Sequence, residues 1–408
     1  MTALVGWGLA LPALAATRVM ILPFDGPTEP ATVASLGRGT ADTLITALSQ
    51  VPDFIVVDRT TLEHSLKEAA LAQSGLLGLV SAAEVGGLGQ GHRAAALVVE
   101  RLARECASTA MVVCMHYAAA AVIEAHGPRA VREAIAAGKH VSTLAFSEAG
   151  SRSHFWAPVS TAAAVAGNGH VQLDAKKSWI TSANQADSYV WSSRPMTADG
   201  ASTLWLVPAR AAGLRVTAPF EGLGLRGNAS SPVVAENVQV ESAAMLGADG
   251  GGFDIMMGVV LPYFQLMVAA TSIGTMQAAT AKAAAHVGGT PFEHLKSTLA
   301  DLPTIRAYVA RMQLKTDLAR ALLLDTLAAV ETGRADTMLR VLEVKAGAGE
   351  AALEVTELAM RVCGGAAFRK DVGVERHFRD ARAASVMAPT TDVLYEFIGK
   401  AVCGLPLF

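Results

Sequence analysis

The spacing of hydrophobic residues changes twice along the part of the chain that follows residue 74. Over residues 74–141 the apolar positions recur every three to four residues, which predicts helices at 92–106, 108–126 and 130–137. From 142 to 250 short branched runs such as STLAF, HVQLDA and STLWLV are separated by Asn-Gly and Asp-Gly turns. This pattern predicts a small antiparallel β domain that follows a helical one.

Helical spacing returns after the three glycines at 250–252 and continues to the end of the chain. Four long helices are predicted, with a bend expected at Pro262 because proline has no backbone N–H to donate. They cover residues 253–287, 298–333, 335–363 and 376–401. The sequence therefore predicts helices, then a sheet, then helices.

The first 73 residues have a different pattern, which alternates strand-like and helical segments. Runs at 18–24 and 53–58 are typical of strands, and 35–49 and 60–73 have helical spacing. The segments ILPFDG and FIVVDRTTLEHSLKE make this stretch resemble the opening unit of bacterial envelope proteins of the curli-assembly and Tol-Pal type. We therefore expect residues 1–73 to form a separate short α/β segment.

Composition limits the class of protein. Hydrophobic residues make up 52% of the chain and charged residues 17%, which argues against disorder and favours a large core. The net charge is -3 and no run of Lys and Arg stands out, so nucleic acid is not an expected partner. The cysteines form no C-x-x-C pair and are interpreted as reduced core residues: Cys106, Cys114, Cys363 and Cys403.

Two apolar segments bear on localisation. Residues 3–16 resemble the apolar part of a signal peptide, but no Lys or Arg precedes them, so we expect a cytoplasmic protein and keep export as the alternative. Residues 255–281 contain no charge and are long enough to span a bilayer. The polar residues scattered through that segment favour a buried helix, so no membrane span is expected.

Five motifs occur in the same order as in one known family. They are GLLGLVSAAEVGGLG at 75–89, LAFSEAGSRSH at 144–154, LDAKKSWITSAN at 173–184, GLGLRG at 222–227 with the stretch at 238–252, and RVCGGAAF, VERHFRDAR and APTTD within 361–392. The chain thereby resembles the acyl-CoA dehydrogenase family. The resemblance implies a mainly α fold with a small central antiparallel β domain, in the order helical domain (74–141), β-barrel-like domain (142–250) and helical bundle (251–408).

The resemblance also implies a cofactor, FAD, and an oxidoreductase of fatty acid metabolism that acts on acyl-CoA or another small molecule. It implies a homodimer or homotetramer, no metal, and an electron acceptor that the sequence does not identify. The residues at matching motif positions are the expected cofactor contacts: Phe146, Ser147, Ser153, Trp179, Thr181, Gly364, Gly365, Thr390 and Asp392. The family's Arg-Phe-Gly stretch is not recognisable in 286–298.

The expected catalytic base is missing. Oxidation of an acyl thioester needs a carboxylate close to the α-proton. The family places this glutamate at the position of Ala388 or, in a minority, at that of Phe264, and neither residue here can take a proton. The family's substrate-side arginine is replaced by Gln265. Other titratable residues are interpreted as structural rather than catalytic: Glu148, Glu396, His116 and His154.

Three functions remain open. The first is an acyl-thioester dehydrogenase that acts on a CH–CH group with an unidentified base. The second is a flavin monooxygenase or oxidase on the same fold, in which oxygen chemistry removes the need for an α-proton base. The third is a non-catalytic hybrid or scaffold, suggested by the change of pattern near residue 74.

Overall fold

The computed structural model describes residues 17–19, 54–56, 74–167 and 169–407. The chain divides into two compact units, Met1–Ala70 and Leu71–Phe408. In the first unit, strand β1 (Thr17–Val19) pairs in parallel with strand β2 (Phe54–Val56), and both overlap the runs predicted as strands. The predicted helices at 35–49 and 60–73 and the apolar segment at 3–16 lie outside the described residues.

The second unit begins with a helical layer. Two short 3-10 turns, Leu76–Gly78 and Ala83–Val85, precede three helices. These are α1 (His92–Glu105), α2 (Ala107–His126) and α3 (Arg129–Ala136), within two residues of the predicted bounds. Helix α2 is apolar around most of its circumference and is buried accordingly, so it forms the centre of this layer.

Two four-stranded sheets follow the helical layer. One has the order β10-β7-β6-β3 and the other β4-β5-β9-β8, and all neighbours are antiparallel except β3 and β6, which are parallel. The strands are β3 (Ser142–Ala145), β4 (Thr161–Val165), β5 (His170–Ile180), β6 (Ser188–Ser193), β7 (Thr203–Pro208), β8 (Leu214–Val216), β9 (Ser231–Glu241) and β10 (Met245–Leu246). The predicted β domain is thus confirmed, with one parallel pair that the sequence did not indicate.

Five helices complete the chain. They are α4 (Gly252–Gly289), α5 (Pro303–Thr332), α6 (Thr337–Cys363), α7 (Val374–Val386) and α8 (Thr391–Val402), with a small hairpin of β11 (Pro291–Phe292) and β12 (Ser297–Thr298) between α4 and α5. The mainly α fold with a central β domain is therefore confirmed.

The prediction of one helix over 376–401 is wrong. The chain forms α7 and α8 instead, separated at 387–390. Pro389 causes the break, because it has no N–H for a helical hydrogen bond and its ring disfavours a helical conformation at Ala388.

Helix α4 is irregular where Pro262 led us to expect a bend. A π-helical turn at Met256–Val260 immediately precedes the regular part of the helix, in which Pro262 occupies the first turn. Because proline cannot donate to the carbonyl four residues earlier, the wider turn accommodates the missing hydrogen bond. This irregularity lies at the part of α4 that contributes to the cavity described below.

Two helices are long and apolar enough to cross a membrane by length and composition alone. They are Ala107–His126 and Gly252–Gly289, and 83% and 67% of their most apolar windows are buried inside the fold. Such burial is typical of core helices in a large folded domain.

The cysteines are free, as expected, but they are not all in the core. Cys114 and Cys363 are buried and Cys106 is half-buried, whereas Cys403 is exposed. The interpretation of Cys403 as a core residue is wrong because helix α8 ends at Val402, so this side chain lies beyond the last packed turn.

Candidate active site

A cavity of about 1110 Å³ lies where the sheets meet the helices of the second unit. Its lining comes from helix α2, the segment after β3, the end of β5, the loop at 220–225, helix α4 and the segment from α7 to Ala388. Small-molecule sites usually occupy ~300–1,000 Å³, so this cavity has room for a large ligand or for two ligands side by side. We take it as the candidate active site.

A β-bulge presents Trp179 to the cavity. The pairing of β5 with β9 passes from Lys177 opposite Val233 to Ile180 opposite Ser231, so β5 contains one extra residue. Trp179 lies in this bulge with φ 57°, a left-handed conformation that is rare for a bulky side chain. Its side chain is 68% exposed, and its ring meets that of Phe220 edge-on at 6.3 Å between centroids. The bulge therefore holds an indole open to a ligand.

Buried hydroxyl and amide groups lie next to this indole. Thr181 Oγ1 and Ser230 Oγ are 3.1 Å apart, and both residues line the cavity with Asn228. Asn228 fixes this corner, because its Oδ1 accepts a hydrogen bond from Ser230 N at 3.2 Å and its backbone O accepts one from Ser182 N at 2.8 Å. These groups supply polar contacts in an otherwise apolar cavity.

The segment after β3 forms the facing side of the same corner. Ser178 N donates to Ser147 O at 2.8 Å, so the backbone at Ser147 runs beside the bulge. Phe146 is buried and its ring is nearly parallel to that of Phe155, with centroids 6.4 Å apart. Phe146, Ser147, Trp179 and Thr181 therefore line one cavity.

A buried ion pair lies behind these residues. Lys177 Nζ donates to Glu148 Oε1 at 2.5 Å, and both side chains are almost completely buried. The carboxylate also accepts hydrogen bonds from Val159 N at 2.7 Å, Ser160 N at 3.1 Å and Ser160 Oγ at 2.6 Å. Lys177 Nζ donates in addition to Ser192 O at 2.7 Å. The hydrogen-bonding capacity of both groups is therefore occupied inside the fold.

The pKa values of this pair follow from burial and from the partner charge. Burial alone would raise the pKa of Glu148, but the charge and hydrogen bonds of Lys177 outweigh it and lower that pKa. Burial lowers the pKa of Lys177 to about 8, although Glu148 acts in the opposite direction. The carboxylate is thus ionised, fully paired and unsuited to accept a proton from a substrate.

Among the described lining residues, those of α4 and of the α7–α8 connection include no titratable side chain. Phe264 and Ala388 both line the cavity, although they come from different helical segments. Other apolar side chains in the lining include Met111, Met115 and Met387. The two positions that the resemblance assigns to a carboxylate therefore belong to one apolar wall.

Lys345 lies directly behind this wall. It comes from α6, is 1% exposed, and its Nζ donates to Met387 O at 3.0 Å and to Pro389 O at 2.7 Å. The same Nζ lies 6.0 Å from the centroid of the Phe264 ring. Burial lowers the pKa of Lys345 to about 7.

Four charged residues besides Glu148 contribute to the lining, and two of them are occupied by protein contacts. Arg379 Nε donates to Glu375 Oε2 at 2.7 Å, and Arg382 donates to Thr356 Oγ1 at 3.2 Å. The other two, Arg152 and Glu221, are exposed and form no ion pair with the residues that the structure describes. They are the charges that a ligand would meet.

The remaining expected cofactor contacts lie at the edge of the cavity or away from it. Ser153 lines the cavity, and its Oγ is 3.4 Å from Thr390 Oγ1. Asp392 is exposed in the first turn of α8. Gly364 and Gly365 follow the end of α6, outside this cavity, and a Cβ at either would meet nothing within 4 Å.

Comparison with known proteins decides the family. Models of the acyl-CoA dehydrogenase N-terminal, middle and C-terminal domains match residues 55–138, 143–238 and 250–403. The chain belongs to the acyl-CoA dehydrogenase family. Members of this family are FAD-dependent oxidoreductases that act on acyl-CoA, so the expected enzyme class and cofactor are confirmed at the level of the family.

Individual relatives agree with this assignment. The mitochondrial short-chain specific acyl-CoA dehydrogenase of Homo sapiens is 27% identical over 351 residues, which cover 83% of this chain and 84% of the relative. The structure of butyryl-CoA dehydrogenase from Megasphaera elsdenii is 23% identical, with a TM-score of 0.76, and covers 82% of this chain and 89% of that one. The prolyl acyl carrier protein oxidase AnaB is 18% identical, with a TM-score of 0.75 and coverages of 83% and 90%.

The envelope-protein resemblance of residues 18–73 finds no support in these comparisons. The match to the N-terminal acyl-CoA dehydrogenase domain begins at residue 55, inside that segment. Most of the segment lies outside the described residues.

The residues present fit a flavin. An aromatic side chain held open in a strained backbone conformation, next to buried hydroxyls, suits the face and polar edge of a planar heterocycle. Trp179, Thr181, Ser147 and Ser230 would hold the ring system. The open space at Gly364 and Gly365 would let a ligand approach the backbone closely.

The structure brings together some of the predicted contacts and separates others. The cavity collects Phe146, Ser147, Ser153, Trp179 and Thr181, while Thr390 reaches it only through Ser153. Gly364, Gly365 and Asp392 do not line it.

The residues interpreted as structural have structural surroundings. His116 is buried, with Nε2 3.0 Å from Leu77 O and Nδ1 accepting from Ser142 N at 3.2 Å, and burial lowers its pKa. Glu396 is 64% exposed and pairs with Lys400. His154 is exposed and its ring meets Trp156 edge-on.

Sequence reasoning missed Lys345, Asn228, Ser230 and the Trp179–Phe220 contact. Asn228 and Ser230 belong to the segment after GLGLRG, where a cluster of small polar residues could have indicated a binding loop. Lys345 gave no such signal, because a single lysine in a helical pattern is typical of a solvated face.

Proposed function

We propose that this protein is an FAD-dependent dehydrogenase that oxidises the α,β carbon–carbon bond of an acyl group carried as a thioester. The observation that carries the proposal is that one cavity joins the Trp179 bulge to the apolar wall of Phe264 and Ala388. One side suits a flavin, and the other suits a hydrocarbon chain. The relatives described as acyl-CoA dehydrogenases support the thioester.

The reaction requires removal of a proton from the α-carbon. Glu148 is excluded as the base by its ion pair with Lys177, and Phe264 and Ala388 have no acidic group. Glu221 is the carboxylate in the described lining that has no protein partner, and it follows Phe220 beside the indole. We infer that Glu221 accepts the α-proton, while the hydride equivalent leaves from the β-carbon. FAD, when bound, supplies the acceptor for that hydride.

A second candidate is flavin-dependent oxygen chemistry on the same fold. The apolar wall at Phe264 and Ala388 favours it, because reaction with oxygen does not need a carboxylate at either position. The structural similarity to a prolyl acyl carrier protein oxidase adds a carrier-bound acyl group as a substrate class. A non-catalytic scaffold is the third outcome, and the same experiment tests it.

The test begins with the absorbance spectrum of the purified full-length protein after reconstitution with FAD. Acyl-CoA thioesters of increasing length, from propionyl to palmitoyl, are then added without oxygen. Bleaching of the flavin band that recovers only slowly when air is admitted supports the dehydrogenase, whereas rapid recovery indicates an oxidase. Bound flavin that stays oxidised with every thioester, but consumes oxygen when a reductant is supplied, overturns it in favour of oxygen chemistry. Failure to bind FAD supports the scaffold.

The variant Glu221→Gln tests the base separately. It removes the carboxylate and preserves the shape of the side chain, so bleaching by the best thioester should slow by at least ~100-fold with FAD content unchanged. Glu236→Gln is the control, because Glu236 is an exposed carboxylate outside the lining. Equal rates in Glu221→Gln and the wild type would exclude Glu221 as the base without affecting the proposed reaction.

We also propose a homodimer or homotetramer. The expected cofactor contacts Gly364, Gly365 and Asp392 lie outside the cavity of one chain, where a second copy could bring them to a ligand. Light scattering after size-exclusion chromatography tests this directly, and a monomer that binds FAD with full occupancy would contradict it.

A further inference from the structure

The connection between α7 and α8 forms the wall of the cavity without a regular backbone hydrogen-bonding pattern of its own. Met387 and Ala388 line the cavity, and Pro389 follows them before α8 begins at Thr391. Because Pro389 has no N–H and interrupts the helix, carbonyl groups in this connection need partners from elsewhere. Lys345 supplies hydrogen bonds to two of them.

Lys345 is an unusual hydrogen-bond donor because lysine side chains are rarely buried. Placing an amine with 1% exposure among apolar neighbours costs free energy, and this cost is offset only if its donors are used. Two donors are used by Met387 O and Pro389 O, at 3.0 and 2.7 Å. The two acceptors flank Ala388 on both sides, so the amine fixes the position of that residue along the wall.

The same amine also contacts the second half of the wall. Its Nζ lies 6.0 Å from the centroid of the Phe264 ring, which is the outer limit of a cation–π interaction for the protonated amine. Phe264 belongs to α4, Ala388 to the α7–α8 connection and Lys345 to α6. One side chain thus links the two wall segments that line the cavity from different parts of the chain.

We propose that Lys345 is a positioning residue for the substrate side of the cavity, which holds the 387–389 segment and the Phe264 ring in a fixed relation. It does not line the cavity and therefore does not contact the ligand itself. Its role is to keep the apolar wall at the distance from the indole side that the reacting carbons require. Displacement of such a wall by about 1 Å can reduce a rate by ~100-fold.

The variant Lys345→Met tests the proposal, because methionine preserves length and apolar volume and removes all donors. Lys315→Met is the matched control, since Lys315 lies on α5, is partly exposed and pairs with Glu354. The first measurement is hydrogen–deuterium exchange of a peptide that covers residues 386–394 in the FAD-reconstituted protein. We expect exchange there to accelerate by at least ~10-fold in Lys345→Met, because the hydrogen bonds to Met387 O and Pro389 O are lost, and to stay unchanged in Lys315→Met.

The second measurement separates positioning from a general loss of stability. With the thioester that bleaches the wild-type flavin fastest, we expect kcat to fall by ~10- to 100-fold in Lys345→Met, with KM within about threefold and FAD content unchanged. Faster exchange spread evenly over the whole chain, or unchanged exchange at 386–394, would overturn the proposal. So would a full kcat with faster local exchange.

A second variant keeps the test valid if Lys345→Met does not fold. Lys345→Gln retains an NH₂ donor for one carbonyl, so its local exchange should lie between those of the wild type and Lys345→Met. The kinetic readout rests on the proposed dehydrogenase, whereas the exchange readout does not. If no thioester bleaches the wild type, the proposed function fails, and local exchange in these variants still decides the role of Lys345.

Discussion

Lys177 and Glu148 form a buried ion pair beside the part of the β domain that lines the cavity. Glu148 is paired with Lys177 across an isolated antiparallel bridge, and each immediately adjoins a cavity residue in the chain. Hydrogen bonds from Val159 and Ser160 complete the carboxylate shell. The pair therefore stabilises the β domain and also holds in place the two segments that line the cavity next to it.

Removing one member of the pair should destabilise the protein strongly. Lys177→Met leaves a buried carboxylate without its cation, which costs ~3–5 kcal/mol, whereas the double variant Lys177→Met with Glu148→Leu should lose much less. Urea unfolding of both variants measures this difference. Arg215→Ala is the control, because Arg215 and Glu236 form an exposed pair that contributes under ~1 kcal/mol. A loss below ~1 kcal/mol for Lys177→Met would contradict the role assigned to the pair.

Trp179 should matter for the ligand and not for folding. Its left-handed backbone costs a non-glycine residue ~1–2 kcal/mol, and its 68% exposed side chain contributes little to the core. Trp179→Gly should therefore leave the free energy of unfolding within ~1 kcal/mol of the wild type, while FAD affinity falls by about 10-fold.

Fluorescence titration with FAD and urea unfolding of the apoprotein measure the two effects of this substitution. Trp179→Phe is the control, because it keeps an aromatic face at the bulge and should retain affinity within about threefold. If Trp179→Gly instead unfolded at much lower urea while retaining FAD affinity, the indole would be a structural residue.

The local pattern was sufficient to predict most helices of the second unit and the order of layers. Helices α2 and α3 end where Gly127, Pro128 and Gly138 interrupt the apolar spacing, so their bounds follow from neighbouring residues. The motif at 173–184 likewise identified Trp179 and Thr181 as expected cofactor contacts, and both line the cavity. Such features depend on contacts close in sequence and on a family pattern that the chain preserves.

The bulge and the buried lysine could not be predicted in this way. Simple alternation in β5 does not reveal that Trp179 is turned outward, because the extra residue exists only relative to the register with β9. Lys345 is buried because carbonyl groups some forty residues later need donors, which no pattern within α6 encodes. Both features are set by partners distant in sequence.

Lys345 should also give the folded protein a measurable pH dependence. Burial lowers the pKa of Lys345 to about 7, below its ordinary value of 10.5, so between these pH values the unfolded chain binds a proton that the folded chain does not. The contribution of Lys345 to the free energy of unfolding is therefore lowest below pH 7 and rises as the pH increases towards 10.5.

The comparison of wild type with Lys345→Met isolates this contribution. Lys177 also titrates abnormally, but it is present in both proteins and cancels in the difference. The free energy of unfolding of the wild type minus that of Lys345→Met should increase between pH 7 and 10 by more than ~1 kcal/mol, as measured by urea unfolding at several pH values. A difference that is constant or falls with pH would show that the amine is not desolvated in the folded state.

The charge of Arg152 should distinguish thioesters that carry phosphate from those that do not. Arg152 lines the cavity, is exposed, has a left-handed backbone with φ 49° and forms no ion pair with the described residues, so its guanidinium is available to an anion. In the proposed reaction such an anion is the phosphate of CoA or of a phosphopantetheine arm on a carrier protein.

Arg152→Ala should raise KM about 10-fold for the CoA and phosphopantetheine thioesters of one acyl group, but not for its N-acetylcysteamine thioester. Arg215→Ala serves as the control, because Arg215 lies outside the lining. An equal rise for all three thioesters would mean that Arg152 shapes the cavity and does not recognise phosphate.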